Sequence, residues 1–204
     1  MKEIFWKNLE DGAVESAELV KFSQFLLSYS SIIETDSMTY TLMVYFTHQG
    51  VVREFEIKEN EELIFIGRKN RNWWINGDSL SNSQNINFID ISLTPFTNTL
   101  PILFMKNNKI KKEAFPMLFI DVANHKFKIV QQQYTLMGDE VLYENLNSNY
   151  SNTLTIDQDN LTLDYPNVFT RLKKSRLKIN SADSFMIYVF YYHFFEQFLF
   201  VDLQ

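Results

Sequence analysis

The sequence contains no cysteine. That excludes disulfides, a thiolate nucleophile and cysteine-ligated zinc. Glycine and proline are scarce, at 5 and 4 of 204 residues. So little glycine leaves no backbone cradle for phosphate, and no Walker motif, GxGxxG or GxSxG occurs. The three histidines, His48, His125 and His193, have no ligand spacing, and HExxH is absent. No catalytic set, metal site or cofactor is therefore expected. The N-terminal stretch MKEIFWKNLEDG has no apolar h-region. A secretory leader is not expected, and a cytoplasmic location is the default. The net charge of −6 argues against a nucleic-acid partner.

Aromatic residues are abundant: 16% of the chain, with 19 Phe and 10 Tyr, inside a hydrophobic fraction of 46%. Such side chains fit pleated surfaces and pack across neighbouring strands. With few glycines, turns must fall to Asn and Asp, which tolerate left-handed backbone. Residues 38–46 alternate, with Tyr40, Leu42, Val44 and Phe46 on one face. Residues 51–58 alternate again, with Val51, Arg53, Phe55 and Ile57 expected together. Further strands are expected at 63–67, 86–93, 141–146, 153–156 and 161–165. Turns are expected at His48–Gly50, Asn76–Gly77, Asn124–His125 and Asp157–Asn160. The expected fold is mainly β: a largely antiparallel sheet curled into a barrel-like shape, with one or two short helices.

Two regions stay open. Residues 16–30 suit either a helix or a strand pair interrupted at Ser23–Gln24. Residues 185–201, FMIYVFYYHFFEQFLFV, form a nearly continuous apolar run. It suits a buried element, a peripheral membrane contact or, with Glu196 inside it, less comfortably a span. The basic residues Arg171, Lys173, Lys174, Arg176 and Lys178 suit anionic lipid or a solvated edge.

Several residues are candidates for a site. Asp90 shares a strand face with Phe88, so it either contacts a ligand hydroxyl or makes a structural hydrogen bond. Asp121 is a weaker version of the same case. The segment Thr94, Pro95, Phe96, Thr97, Asn98, Thr99, Leu100 and Pro101 has two prolines that stiffen it. It reads as a rigid crossover between strands or as the rim of a pocket, with Phe96 and Leu100 pointing inward. Trp73 and Trp74 read as core for at least one of the pair, with a pocket mouth as the other role. Gln131 and Gln133 share one face of a strand, and Gln132 and Tyr134 the other. At least one of those faces is a candidate for the interior.

These residues carry a resemblance. IDISLTPFTNTLPI at 89–102, QQQYTL at 131–136 and LTLDYPNVFTRL at 161–172 resemble the putative glycolipid-binding family, a bacterial family described as a domain of unknown function. Weaker echoes are Trp6 with Glu15, the strand YTLMVYF and the stretch WWING, so the likeness spans roughly residues 5–172. It implies a spliced or partly open antiparallel β-barrel, similar to lipoprotein-carrier barrels that hold acyl chains. The family's characteristic positions carry over to Trp6, Glu15, Trp74, Asp90, Thr94 to Pro101, Gln133, Tyr134, Asp164, Tyr165, Pro166, Phe169 and Arg171. This chain departs in having Leu103 and Phe104 where members often carry two arginines. It also reads NINF where members often carry Gly-Cys.

The expected organisation is one domain over 1–181 and an aromatic extension over 182–204, packed on the domain or at an interface such as a homodimer. The expected function is noncatalytic binding of a glycolipid or fatty-acyl ligand. Trp74, Phe88, Asp90, Phe96, Asn98, Gln131, Gln133 and Tyr134 are the candidate ligand contacts. Thr94, Pro95, Thr97, Thr99, Leu100, Pro101, Tyr165, Pro166, Phe169 and Arg171 are the structural motif. The alternatives are a hydrolase or isomerase using paired carboxylates, and an interaction domain with a fully packed core.

Overall fold

The computed structural model describes residues 1–173, and Met1–Leu172 form a compact unit. The aromatic extension from 182 and the boundary expected at 181 lie outside the described residues. Eight strands come first: β1 (Lys2–Asn8), β2 (Val14–Lys21), β3 (Leu26–Glu34), β4 (Thr39–Thr47), β5 (Val52–Glu59), β6 (Glu62–Lys69), β7 (Trp73–Ile75) and β8 (Asp78–Leu80). Then come β9 (Phe88–Ile91), a 3-10 turn (Pro95–Asn98) and the helix α1 (Thr99–Asn107). The remaining strands are β10 (Lys112–Asp121), β11 (Lys126–Met137), β12 (Glu140–Asn145), β13 (Tyr150–Ile156), β14 (Thr162–Tyr165) and β15 (Phe169–Arg171).

All fifteen strands join one sheet in the order β8-β7-β6-β5-β4-β3-β2-β1-β15-β14-β13-β12-β11-β10-β9. It is two meanders spliced where the first strand pairs with the last, Trp6 opposite Arg171. The sheet does not close, since β8 and β9 are its edges. Contacts do reach from the first meander to the approach to β9. Val52 N–H donates to the Asn87 carbonyl at 3.0 Å, and Trp73 Nε1 donates to the Ile86 carbonyl at 2.9 Å. The expectation of a partly open barrel holds in this form.

Asparagine does make the turns. Among the described residues, five of the eight non-glycine positions at positive φ are Asn: Asn60, Asn76, Asn82, Asn160 and Asn167. Asn76 and Gly77 take φ of 50° and 92° between β7 and β8, as a two-residue hairpin requires. The open region at 16–30 is the strand pair β2–β3, and no helix forms there. Ser23 Oγ closes its turn by accepting from Phe25 N–H and Leu26 N–H.

One register expectation fails. Val51 and Arg53 do not share the face of Phe55 and Ile57; buried Val52 does. Tyr45 pairs with Glu54 but Phe46 pairs with Val52, so Arg53 is an extra residue in a bulge. A bulge resets the alternation by one position, which simple period-2 counting misses. One pair of strands is parallel, β9 with β10. A parallel pair needs a crossover, and residues 92–111 supply it through the 3-10 turn and α1.

That crossover packs on the inner face of the sheet. Pro95, Phe96, Thr97, Asn98, Thr99, Leu100, Pro101 and Ile102 are all buried. Of the two readings of the segment, the structure makes it a crossover, helical and enclosed, and its polar side chains do not form an outer rim. Thr94 caps it, its Oγ1 accepting from Phe96 N–H at 3.1 Å, and Pro95 sits where a missing N–H costs nothing. Phe96 stacks on Tyr29 with ring centroids 3.6 Å apart and touches Phe46 at 5.5 Å.

The turn between β4 and β5 presses on the same crossover. Gly50 has φ +82°, and a Cβ there would run into the Leu100 carbonyl. Gly12 and Gly138 also have positive φ but face open space. Gly50→Ala should therefore cost clearly more stability than Gly12→Ala or Gly138→Ala, which carry only the left-handed penalty of about 1–2 kcal/mol. Urea unfolding of the three variants checks this, and equal losses would mean that the turn does not rest on α1.

Candidate functional site

The inner face of β11 carries Gln132 and Tyr134, both buried, since Val130, Gln132 and Tyr134 share one phase of the alternation. Gln131 and Gln133 take the opposite face. Gln131 is exposed, and Gln133 Nε2 donates to Glu144 Oε2 at 2.5 Å. Trp74 is also on the outer side, 47% exposed, while its neighbour Trp73 is fully buried. So of the eight sequence candidates, Phe88, Asp90, Phe96, Asn98 and Tyr134 come together, and Trp74, Gln131 and Gln133 stand apart from them. Gln132 is the glutamine on the inner phase with Tyr134; the alternation is legible in the sequence, but nothing in it says which phase faces in when Phe127 and Ile129 occupy the other.

Asp90 is half-buried on β9, and its carboxyl is held by two donors. Thr97 Oγ1 donates to Oδ1 at 3.3 Å, and Gln132 Nε2 donates to Oδ2 at 2.6 Å. No Lys or Arg pairs with it among the described ion pairs. Burial raises its pKa, and the bonds from Gln132 and Thr97 offset this only in part.

From Asp90 a chain of polar groups runs inward to the crossover. Tyr134 Oη lies 2.9 Å from Gln132 Oε1 and 3.1 Å from Asn98 Oδ1. Asn98 Nδ2 donates to the Pro95 carbonyl at 3.2 Å, which fixes that amide. Tyr134 has one proton for two acceptors. Its hydroxyl is therefore shared between Gln132 and Asn98, while Gln132 Nε2 donates to Asp90.

Outward from Tyr134 lies a file of tyrosines. Tyr134 and Tyr143 are opposite each other across β11–β12 with centroids 5.5 Å apart. Tyr143 meets Tyr150 at 6.1 Å and Tyr165 at 6.2 Å. Tyr150 is 42% exposed, so the file runs from the core to the surface. Asn152 bridges its outer end, Nδ2 donating to the Pro166 carbonyl at 2.9 Å and to Tyr150 Oη at 3.3 Å. Burial raises the pKa of Tyr134, Tyr143 and Tyr165, and the Asp90 charge raises each further.

The phenylalanines occupy the adjoining part of this face. Phe88 on β9, Phe104 on α1 and Phe115 on β10 meet edge to face at 5.0–5.9 Å. Phe115 is opposite Gln132, and Phe119 is opposite Asp90. The polar file and the apolar group are thus neighbours. Leu103, Phe104 and Phe119 are half-buried against the core.

A second carboxyl, fully buried, meets the crossover at Thr94. Glu15 on β2 receives the Tyr29 hydroxyl at Oε1, and Tyr29 Oη lies 3.4 Å from Thr94 Oγ1. Glu15 Oε2 and Ser31 Oγ are both buried with no partner in hydrogen-bonding geometry. Burial pushes Glu15 up to about 7, against lowering contributions from Tyr29, Ser31 and Thr94. Trp6 lies beside it, with Nε1 donating to the Thr162 carbonyl at 2.8 Å. Arg171 also donates to that carbonyl, at 2.7 Å, while its guanidinium covers the Trp6 ring at 5.0 Å and bonds Asp157 at 2.7 Å. Of the motif residues at the chain's end, Tyr165, Phe169 and Arg171 line this seam, and Pro166 lies in the turn between β14 and β15. No group of residues suited to a metal occurs among the described residues, and no described helix is long and apolar enough to cross a membrane.

The family model described as "Putative glycolipid-binding" matches residues 3–171. Among solved structures, a DUF1089 family protein from Pseudomonas aeruginosa is similar, with a TM-score of 0.61 and 24% identity. The alignment covers 78% of this chain and 92% of that one, and it concerns the fold alone. No curated protein matches the chain.

The Glu15 shift has a defined sign. A carboxyl whose pKa is higher when folded stabilises fully below its unfolded value near 4.5, and that stability is lost as pH rises toward 7. The span corresponds to about 3 kcal/mol. The stability difference between wild type and Glu15→Gln should fall by roughly that amount between those pH values and stay flat above them. Urea titrations across the range test it, and a difference independent of pH contradicts a neutral Glu15. Asp90 adds to the wild-type slope with the same sign. Asp157 opposes it: although burial alone would raise its pKa, bonds from Lys2, Leu161 N–H and Arg171 hold it low.

Proposed function

The chain belongs to the putative glycolipid-binding family, and from that premise we propose that it binds an amphipathic lipid with a sugar headgroup and performs no reaction on it. The observation that supports this is the division of the inner face. Hydroxyls and amides of Tyr134, Tyr143, Gln132 and Asn98 lie on one side, and Phe88, Phe104, Phe115 and Phe119 on the other. An amphipathic ligand needs both kinds of surface side by side. Its acyl portion lies along the phenylalanines, where each methylene buried is worth about 0.8 kcal/mol. Its headgroup lies along the tyrosines, near Asp90.

The arrangement gives little support to acid–base chemistry by paired carboxylates. Asp121 is turned to its own hairpin, both oxygens 3.0 Å from Asn124 Nδ2. Glu15 is committed to Tyr29. Asp90 is therefore bonded to neutral donors, with no second carboxylate bonded to it. A glycosidase needs two carboxyls flanking the bond to be broken.

Purified full-length protein, extracted with organic solvent and analysed by mass spectrometry, should release a glycolipid. The stripped protein should take up an added galactosyl-diacylglycerol. Phe104→Glu and Phe119→Glu, checked for folding by circular dichroism, should each reduce uptake by about tenfold or more, the effect of setting a charge beside an acyl chain. A stripped, folded protein that binds no glycolipid contradicts the proposal.

A further inference from the structure

The chain has a net charge of −6, yet its turns are sorted by charge between the two rims of the first meander. Antiparallel neighbours place alternate connections at opposite ends. At one rim lie β1–β2, β3–β4, β5–β6 and β7–β8. These turns carry Glu10, Asp11, Asp36 and Glu61, and no Lys or Arg. At the other rim lie β2–β3, β4–β5 and β6–β7, with the segments 81–87 and 108–111 that lead into β9 and β10. These carry Arg71, Lys109 and Lys111, and no Asp or Glu.

The basic rim is continuous from the β2–β3 turn to the start of β10. Leu26 at the start of β3 is opposite Thr47 at the end of β4. The next turn meets α1, where Asn107 Nδ2 donates to the His48 carbonyl at 3.0 Å. Beyond α1 the backbone is fixed. Ile110 N–H donates to the Met105 carbonyl and Leu136 N–H to the Lys111 carbonyl, both at 2.8 Å. Lys21, Lys106, Lys109, Lys111 and Lys112 are exposed, and none of them takes part in a described ion pair. A lysine at the end of a helix suits the helix dipole, which accounts for Lys106 alone. Exposed Glu113 follows Lys112, and Asp139 and Glu140 bound the basic stretch at the β11–β12 turn.

Phe25 belongs to the same rim. It is 70% exposed, more than any other large apolar residue described except Met1. Its turn presents it. Phe22 packs edge-on against Tyr45 at 5.3 Å, and Ser23 Oγ accepts from the N–H groups of Phe25 and Leu26. A bare aromatic ring beside unpaired lysines matches the surface of an anionic bilayer. The ring enters the boundary of the acyl layer, and the ammonium groups meet phosphate headgroups.

We propose that this rim docks on anionic membrane, with Lys21 and the lysines from Lys106 to Lys112 on the headgroups and Phe25 in the interface. The proposal does not rest on the glycolipid reading, because docking is measured without lipid uptake.

The test floats the full-length protein with vesicles of phosphatidylcholine, or of phosphatidylcholine and phosphatidylglycerol in equal amounts. The anionic vesicles should bind it at least about tenfold more strongly, and high salt should remove the difference. Lys109→Glu with Lys111→Glu should weaken that binding by about tenfold or more. Lys7→Glu with Lys126→Glu makes the same change of net charge away from this rim, and should alter binding by less than about twofold. Phe25→Ser leaves the charge unchanged and should weaken binding by about threefold or more. Thermal unfolding followed by circular dichroism checks that each variant is folded. Equal binding to both kinds of vesicle overturns the proposal, and so do equal effects of the two double variants. A wild type that ignores the vesicles and binds polyuridylate or polyglutamate instead also overturns it.

Discussion

Everything in this structure is arranged around one costly act, the burial of a polar crossover. Thr94, Thr97, Asn98 and Thr99 are all buried, and each carries groups that lose water on folding. Each is met from the sheet. Thr94 faces Tyr29 and Glu15, and Thr97 donates to Asp90. Asn98 lies against Tyr134, and Thr99 donates to the Asn160 carbonyl at 3.2 Å. The Pro95 carbonyl receives both Asn98 and Thr162. An unmet polar group in such a place costs roughly 1–3 kcal/mol, so these partners cannot drift independently of one another.

This requirement explains why the motif is scattered through the chain. Trp6, Glu15, the run from Thr94 to Pro101, Tyr134, Tyr165 and Arg171 are far apart in sequence. They come together because β1 pairs with β15 and the crossover lies across both meanders. Trp6 and Arg171 share the Thr162 carbonyl, and Thr162 in turn reaches Pro95. The two acids meet the start of the crossover a turn apart, Glu15 by Thr94 and Asp90 by Thr97 and, through Gln132 and Tyr134, by Asn98. Both are raised in pKa by burial, and neither is paired with a cation. Burying each acid without a cation favours its uncharged form and so limits the charge placed in the core.

Much of the sheet could be read directly. Tyr40, Leu42, Val44 and Phe46 all lie buried on one face of β4, as their alternation implies. Asn76–Gly77 and Asn124–His125 are hairpin turns. Strand phase was less secure wherever the local pattern was interrupted or ambiguous. The bulge at Arg53 shifted β5 by one residue, and the equal apolar weight of both faces of β11 concealed that Gln132, and neither Gln131 nor Gln133, faces inward. The helical form of the segment after Thr94 could not be separated from an extended path, because its prolines suit the first turn of a helix as well as a rigid loop.

The sequence by itself determined that the protein is built of strands, where most of them turn, and that 94–101 is the special segment. Those are local properties, set by period-2 alternation, Asn and Gly turn chemistry and a dense motif. Only the tertiary structure decided that the segment lies inside the sheet, that Tyr143 and Tyr150 extend a line begun by Tyr134, and that Glu15 is buried against Tyr29. The reason is that these contacts depend on strand order and register. Those in turn depend on which distant partner can satisfy each buried polar group, and a single position in the chain does not carry that information.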